Sequence, residues 1–435
     1  MQQRTLAAMI GLVVTAMVGV ACSSGSSSAP GGGGAADCNT PPGCVTVDAG
    51  APIEIGTLLA TTGATKNLGL DSLYGVELAV DYLDGTFDGT DGQLDGHPVK
   101  LVNETDGCSA DGGQKGEQPL GSDPQMVGVI GTSCSSASLG VADKFFSDKG
   151  ITIISPSATN PALTSEGTHQ PYWFRTAHND RIQAAVASDF AYQKQGWKTA
   201  VTIHDESPYT QGLTDGFKAN FEAQGGQVLS EEAVNSGDTD FKALLTKIAQ
   251  NPPDVIYAPD FNPVCALLVK QMADTSGLEN TTYMGADGCS DPTFLSIGGP
   301  AANGSFLSGP DLTSFTGGDF YKNDFLPAYK QLAGSNPISV FHAHAFDAMN
   351  IMMNAIKQVA VVNSDGSLTI QRSALRDAVQ NTNGYQGVIG TLTCTPLGDC
   401  ATSVTIGVYE VPNVGFKDPN AKPVFTETKT LADVQ

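Results

Sequence analysis

Residues 126–161 read MVGVIGTSCSSASLGVADKFFSDKGITIISPSATNP. The stretch contains two short apolar runs with a helix-forming segment between them, which is typical of buried parallel strands joined by a crossover helix. Each apolar run is followed by a turn rich in small hydroxyl residues, GTSCSS at 131–136 and SPSATNP at 155–161. Ligands of such sheets bind beyond the carboxyl ends of the strands, so we expect these two turns to carry function.

The same alternation of strand-like and helix-like segments covers most of the chain. It begins at Ile53, restarts after Arg175 and continues through Met284. A chain of 435 residues is too long for one ordinary core, and two domains are expected. The pattern therefore predicts an α/β protein with two doubly wound parallel-sheet lobes.

The composition is that of a globular protein with an excess of acidic residues. Hydrophobic residues make up 40% of the chain and charged residues 15%, and 22 Lys and Arg against 45 Asp and Glu give a formal net charge of −23. Nucleic-acid binding and adhesion to an anionic membrane both require clustered cations, so the balance argues against both. The acidity itself indicates a well-solvated surface.

The N-terminus is typical of an exported lipoprotein. Residues 1–21 contain an apolar run, Leu6 to Val20, that suits a signal peptide and is shorter than the ~20 residues of a membrane span. Small residues precede Cys22, so we predict that Cys22 is lipidated, with secretion of an unlipidated protein as the alternative. Residues 22–51 then form the lipidated cysteine and a Ser/Gly tether. The predicted location is a membrane surface in the periplasm or cell envelope.

Eight cysteines follow Cys22, and they fall into four neighbouring pairs: Cys38/Cys44, Cys108/Cys134, Cys265/Cys289 and Cys394/Cys400. Eight cysteines permit many pairings, so the connectivity stays open. Disulfides between neighbours are expected for an exported protein, which meets an oxidising environment. A zinc site is the alternative and is not favoured, because the sequence contains no CxxC motif. We predict no metal and no other cofactor.

Two further strand ends carry acidic and aromatic residues, HDESPY at 204–209 and GADGC at 285–289. Free backbone N–H groups in the hydroxyl-rich turns of the first half suit a carboxylate. Asp287 in the second half suits an ammonium group, so the two halves together describe a site for a zwitterion. Each residue also has an ordinary interpretation, N-capping for Ser135 and Thr159 and an Asp-Gly turn for Asp287.

Four motifs follow one another along the chain: GTSCSS (131–136), SPSATNP (155–161), HDESPYTQG (204–212) and MGADG (284–288). In this order and spacing, from about Ile53 to Glu410, the chain resembles the branched-chain amino-acid binding proteins of ABC importers. These are type I periplasmic binding proteins.

The resemblance implies a multi-segment hinge between two lobes. Lobe 1 is predicted to contain residues 52–177 plus 310–398, and lobe 2 residues 178–309 plus 399–435. The implied crossings between the lobes lie near 176–179, 308–311 and 397–401.

The resemblance also implies roles for individual residues. Ser135, Ala158 and Thr159 would hold the ligand carboxylate, Tyr209 would pack over the ligand, and Asp287 would meet its ammonium group. Cys108 and Cys134 match a disulfide of some family members.

The chain departs from the family pattern at three positions around the site. Leu68 stands where many members place an aromatic residue, Asp260-Phe261 replaces a small-aromatic pair, and Cys265/Cys289 would be an additional bridge beside the site. Phe261 is still predicted to contact the ligand. Because of these departures, the resemblance does not specify which side chain the ligand carries.

The predicted function is that of a substrate-binding lipoprotein of an ABC importer, which binds a branched-chain or other aliphatic amino acid by closure of its cleft. Its predicted partners are this small ligand and a permease in the cytoplasmic membrane, and the protein is predicted to be a monomer. Alternatives are the same fold with a small carboxylate, amide or urea as ligand, or a ligand sensor for a receptor. No enzyme is predicted, because neither a GxSxG elbow nor a nucleophile–base pair is present.

Overall fold

A computed structural model describes residues 36–434. The predicted signal segment, Cys22 and the tether up to residue 35 lie outside the described residues. Among the helices of residues 36–434, none has the length and apolar character needed to cross a bilayer.

The strands are short, as expected for α/β proteins. In chain order they are β1 (Cys44–Val47), β2 (Ile53–Leu58), β3 (Gln93–Leu94), β4 (His97–Glu104), β5 (Met126–Gly131), β6 (Thr152–Ser155), β7 (Trp173–Arg175), β8 (Thr199–His204), β9 (Gln227–Ala233), β10 (Val255–Tyr257), β11 (Thr282–Gly285), β12 (Phe306–Pro310), β13 (Val361–Val362), β14 (Leu368–Gln371), β15 (Tyr385–Gln386), β16 (Thr391–Leu392), β17 (Ser403–Glu410) and β18 (Phe425–Thr430).

Helices connect the parallel strands. In chain order they are α1 (Lys66–Asp81), α2 (Ala110–Ser122), α3 (Ser135–Ala137), α4 (Asp143–Lys149), α5 (Asp180–Asp189), α6 (Pro208–Ala223), α7 (Lys242–Ile248), α8 (Val264–Ala273), α9 (Pro292–Gly298), α10 (Gly318–Phe320), α11 (Leu326–Ala333), α12 (His342–Val359) and α13 (Arg372–Gln380).

The first sheet has the order β3-β4-β2-β5-β6-β7, and its pairs are parallel except for β3 with β4. Strand β2 lies between β4 and β5. After β2 the chain adds β4 on one side of β2, and it then crosses over to add β5 on the other side. The loops after β2 and β5 therefore diverge and leave a crevice at this switch point.

The second sheet repeats this arrangement in the order β18-β17-β12-β11-β10-β8-β9. Strands β8 to β12 pair in parallel, whereas β17 and β18 add antiparallel strands from the end of the chain. Its switch point lies between β8 and β10. The chain passes from the first sheet to the second after β7 and rejoins the core of the first sheet after β12. It enters the second sheet again at β17.

The central strand β5 shows why these apolar runs form strands. All six of its residues are buried, because helices cover both faces of the sheet. Val127 and Ile130 belong to the core that contains α12, while Met126 and Val129 pack in the core on the other face. The neighbours Val129 and Ile130 thus enter opposite cores. Residues three apart share a core because the pairing with β2 shifts register between Glu54 and Ile55.

Residues 44–47, predicted to lie in the tether, form strand β1 and pair with β14 in antiparallel register. Val45 and Val47 are buried in the first-sheet core. The period-2 pattern of CVTV explains the strand, since its two valines share one face. The predicted tether therefore ends before this strand.

The eight described cysteines lie at bonding distance in the four neighbouring pairs expected from the sequence. The S–S distances are 1.93–2.05 Å, and the pairs are Cys38–Cys44, Cys108–Cys134, Cys265–Cys289 and Cys394–Cys400. The third pair joins α8 to the turn after β11, across a sequence separation of 24. Its bond closes a long loop and so restricts the unfolded chain.

Cys400 lies in a different core from the one predicted. The predicted boundary assigned it to lobe 2, which was expected to begin again at residue 399. The structure buries Cys400 completely in the first-sheet core, together with its partner Cys394. Its N–H also donates to the carbonyl oxygen of Arg175, at the end of β7, at 3.0 Å. These contacts hold Cys400 on the first sheet, and Ala401 belongs to the same core. The chain therefore leaves that core only after Ala401, and the boundary at 398 was placed too early.

We expect the double substitution Cys265→Ala/Cys289→Ala to lower the free energy of unfolding by about 3 kcal/mol. The control Cys38→Ala/Cys44→Ala opens a loop with a separation of only 6 and should cost less. Urea unfolding of both variants measures the difference. A larger loss in the control would contradict the loop-closure explanation.

Candidate functional site

A buried carboxylate ties together the loops at the switch point of the first sheet. Asp106 accepts hydrogen bonds from the N–H groups of Ser133 (2.6 Å) and Cys108 (2.8 Å). The Oγ of Ser133 in turn accepts from the N–H of Ala60, after β2, at 2.9 Å. Burial raises the pKa of Asp106 to about 6. The contacts fix the turn that precedes Ser135.

Hydroxyl groups hold the turn after β6. Ser155 Oγ donates to the carbonyl oxygen of Thr132 (2.7 Å) and accepts from the N–H of Ala158 (2.9 Å). Ser135 Oγ accepts from the N–H of Asn160 at 3.1 Å. The Ala158 N–H, predicted to hold a carboxylate, therefore already has a partner within the protein. Ser135 accepts with its oxygen, and a hydroxyl also carries one hydrogen to donate.

Thr159 contacts a buried acid that follows the first crossing between the sheets. Its Oγ1 lies 3.0 Å from Oδ2 of Asp180, at the start of α5, and its carbonyl oxygen accepts from the N–H of Asp180 at 3.1 Å. Burial, followed by the negative charge of Asp287, raises the pKa of Asp180 well above its ordinary value. Thr159, which was predicted to hold the ligand carboxylate, thus contacts a buried acid, Asp180. The charge of Asp287 in turn acts on Asp180.

Asp287 follows β11 and is held through one oxygen. Its Oδ1 accepts from Gln183 Nε2 at 2.6 Å and from the Tyr209 hydroxyl at 3.2 Å. The side chain is buried, and burial raises its pKa, although His178 and Gln183 act in the opposite direction. These two donors leave Oδ2 for a further partner.

Tyr209 holds the side chain of Asp287 in place. Its hydroxyl also accepts from the N–H of Gly288 at 3.0 Å, and its ring centroid lies 4.9 Å from that of Phe261. The ring was predicted to pack over a ligand. The structure places its hydroxyl on Asp287, and packing over a ligand stays a prediction.

A second side chain fixes Gln183. Because Gln183 Nε2 donates to Asp287 and to the carbonyl oxygen of Ser308 (3.2 Å), its Oε1 is the acceptor for His178 Nε2. His178 therefore carries its hydrogen on Nε2. Burial lowers the pKa of His178, which favours this neutral form. The chain His178–Gln183–Asp287 orients the acid.

A small cavity of about 10 Å³ lies between the loops of the two sheets. Loops from both sheets also meet directly, since Asn67 Nδ2 donates to Asp291 Oδ2 at 2.8 Å and Asn160 Nδ2 donates to the carbonyl oxygen of Pro208. The lining residues are Ala64, Thr65, Leu68, Phe261, Asn262, Asp287, Gly288, Ser290, Asp291 and Ser339.

Two predicted site residues, Asp287 and Phe261, line this cavity, whereas Ser135, Ala158 and Thr159 are buried and do not belong to its lining. Sequence reasoning missed the polar members of the lining, which are Thr65, Asn262, Ser290, Asp291 and Ser339. Ser290 and Asp291 directly follow the MGADGC turn, and their position after a strand was the available signal. Another cavity, between α1, β4 and α11, is larger but lies away from both switch points.

Asp260 is a buried acid without a hydrogen-bond partner for either carboxylate oxygen among the described residues. It follows β10, at the switch point of the second sheet. Burial, followed by the charge of Asp205, raises the pKa of Asp260 well above its ordinary value. The charged form is costly here, so protonation of Asp260 stabilises the folded chain.

We expect Asp260→Asn to raise the free energy of unfolding by about 1–3 kcal/mol at pH 8.5 and by less at pH 6.5. A carboxyl group whose pKa is raised by folding stabilises the fold at low pH, and this stabilisation is lost as the pH rises toward the folded-state pKa. An asparagine side chain does not ionise, so the variant does not lose this stability as the pH rises. Urea unfolding at both pH values tests this, and a destabilised variant at both would contradict it.

The comparisons with known proteins agree with this architecture. A family model described as periplasmic binding protein matches residues 52–405. The chain is 28% identical over 358 residues to a Leu/Ile/Val-binding protein homolog from Brucella melitensis, covering 81% of this chain and 89% of the relative.

Solved structures show the same fold. A leucine-binding protein from Thermotoga maritima superposes with a TM-score of 0.72 at 23% identity, covering 88% of this chain and 99% of the other. A solute-binding protein of an ABC transporter from R. palustris, in complex with benzoate, gives a TM-score of 0.70 at 21% identity, covering 88% and 96%. Because the family model spans most of the chain, this protein belongs to the periplasmic binding protein family, with the α/β fold of its type I members.

Proposed function

We propose that this chain is the substrate-binding component of an ABC importer and binds an L-amino acid between its two lobes. The observation that carries the proposal is Asp287, which lines the inter-lobe cavity and is held through one oxygen by Gln183 and Tyr209. A fixed, buried carboxylate is suited to a ligand ammonium group, because pairing offsets the cost of its burial.

The ligand carboxylate would lie against the turns of the first sheet. The Ser135 hydroxyl has its hydrogen to donate, and the raised pKa of Asp180 favours a protonated carboxyl. The Thr159 hydroxyl donates to Asp180 Oδ2 at 3.0 Å, so Thr159 would meet the ligand carboxylate through its backbone N–H. Opposite charges of one small zwitterion are thereby matched on the two lobes.

The lobes proposed are residues 52–177 plus 310–398 and residues 178–309 plus 399–435, with the last boundary moved beyond Cys400 because that residue packs in the first-sheet core. Hinge rotation about the three crossings would close them on the ligand, exclude water and present a closed shape to the permease. The direct contact between Asn67 and Asp291 would form on closure.

We also propose an extracytoplasmic location with a lipid on Cys22, after removal of residues 1–21. Substitution of Cys22 by alanine should then move the protein from the membrane fraction to the soluble fraction of cells. Retention of this variant in the membrane fraction would exclude the lipid anchor.

A small aromatic carboxylate is the second candidate ligand, because a structurally similar solute-binding protein holds benzoate. Such a ligand has no ammonium group. Its binding would depend on Ser135 and Thr159 and would not require Asp287.

A thermal-shift panel of the twenty L-amino acids, benzoate and small amides separates these candidates. Saturation at ~100 times Kd should stabilise the folded protein by about 2.7 kcal/mol. A shift with at least one amino acid and none with benzoate supports the proposal. A shift with benzoate and with no amino acid rejects it.

A further inference from the structure

The lining of the inter-lobe cavity combines apolar and polar groups. Leu68 and Phe261 contribute apolar surface, but Asn262, Asp291 and Ser339 also line it, and all three are buried. An aliphatic side chain would displace water from these groups without replacing its hydrogen bonds. The lining is therefore a poor match for leucine, isoleucine or valine.

The amide of Asn262 has one fixed end and one free end. Its Nδ2 donates to the carbonyl oxygen of Cys289 at 3.0 Å, so its Oδ1 is directed elsewhere. Oδ1 is buried and has no hydrogen-bond partner among the described residues, while the residue as a whole is 4% exposed. A buried acceptor of this kind requires a donor, because leaving it unpaired is costly.

The charged residues of the cavity lining also favour a ligand that donates hydrogen bonds. Asp291 accepts from the N–H of Thr293 (2.6 Å) and from Asn67 Nδ2 (2.8 Å), so its position is fixed by both lobes. Asp287 and Asp291 supply negative charge, and the lining includes no Lys, Arg or His among the described residues. The cavity thus offers acceptors and favours a ligand rich in donors.

We propose that the pocket selects L-amino acids whose side chain carries an N–H donor, and that Asn262 is a specificity-determining residue. The inference rests on the proposed amino-acid function and narrows it. The donor of the ligand side chain pairs with Asn262 Oδ1, while the ammonium group pairs with Asp287.

Calorimetric titration of the purified full-length protein tests the inference with ligands of similar length. L-glutamine is compared with L-methionine, and L-asparagine with L-leucine; L-arginine is a third donor. We expect at least one donor-bearing amino acid to bind at least tenfold more tightly than both apolar ones, which corresponds to about 1.4 kcal/mol.

The variant Asn262→Leu should weaken that ligand at least tenfold and leave L-leucine unchanged or tighter. Asn262→Ser is a smaller change for the case in which the leucine variant fails to fold, and it should also weaken the donor-bearing ligand. Equal or tighter binding of L-leucine and L-methionine by the unaltered protein would overturn the inference and retain the proposed function. Absence of binding to every amino acid would overturn both.

Discussion

Replacing Asp287 by asparagine is expected to weaken amino-acid binding by roughly 100-fold to 4,000-fold. Removing one partner of a buried ion pair costs about 3–5 kcal/mol, because the ammonium group is left uncompensated. The amide keeps an oxygen that can accept from Gln183 Nε2, so the loop geometry is retained. Calorimetric titration with the tightest-binding amino acid measures the loss.

Folding and binding can be separated in this experiment. Burial raises the pKa of Asp287, so the neutral side chain should leave the melting temperature of the ligand-free protein unchanged or higher. Asp274→Asn is the matched control, since Asp274 is an exposed acid at the end of α8. Unchanged affinity in Asp287→Asn would show that Asp287 does not pair with the ammonium group of the amino acid.

Replacing Arg175 by methionine is expected to lower the free energy of unfolding by about 3–5 kcal/mol. Arg175 is fully buried at the end of β7, and its Nε donates to Asp399 Oδ1 at 2.7 Å. Its other nitrogens donate to the carbonyl oxygens of Ala158 (3.2 Å) and Asn160 (3.0 Å) and to Thr164 Oγ1 (2.7 Å). The substitution leaves a buried carboxylate and three acceptors without this donor.

The double variant Arg175→Met/Asp399→Asn should recover part of this loss, because it removes the unpaired charge. Arg181→Met, which alters an exposed arginine in α5, is the control and should change the free energy of unfolding by less than about 0.5 kcal/mol. Urea unfolding of the three variants measures these values. A loss below about 1 kcal/mol in Arg175→Met would show that the guanidinium does not support the turn.

The family and the fold class could be predicted from sequence because their signals are local. Apolar runs such as Met126–Ile130 alternate with helical segments, and the motifs GTSCSS and SPSATNP directly follow strands. The family prediction is confirmed by the model match over residues 52–405. Strand β1 was missed because its four residues follow a Gly- and Ser-rich segment. The assignment of Cys400 to lobe 2 was wrong because its place in a core depends on Arg175, which is distant in sequence.

The site was only partly accessible to sequence reasoning, because its contacts join distant residues. Gln183 and Asp287 are 104 positions apart, and Asn67 and Asp291 are 224 apart. Residue types alone do not reveal such pairs. Asp287 was identified because it follows a strand, whereas Asn262 carried no local signal and became a candidate only through its unpaired oxygen.

A crystal structure with the tightest-binding L-amino acid is the most direct measurement. We predict that its amino nitrogen lies about 2.7–2.9 Å from a carboxylate oxygen of Asp287, with its carboxylate on Ser135 and Thr159. The central claim is that one ligand bridges the two lobes, with its ammonium group bound by one lobe and its carboxylate by the other. A ligand whose amino group does not contact Asp287 would contradict this claim. A ligand bound outside the space between the lobes would also contradict it.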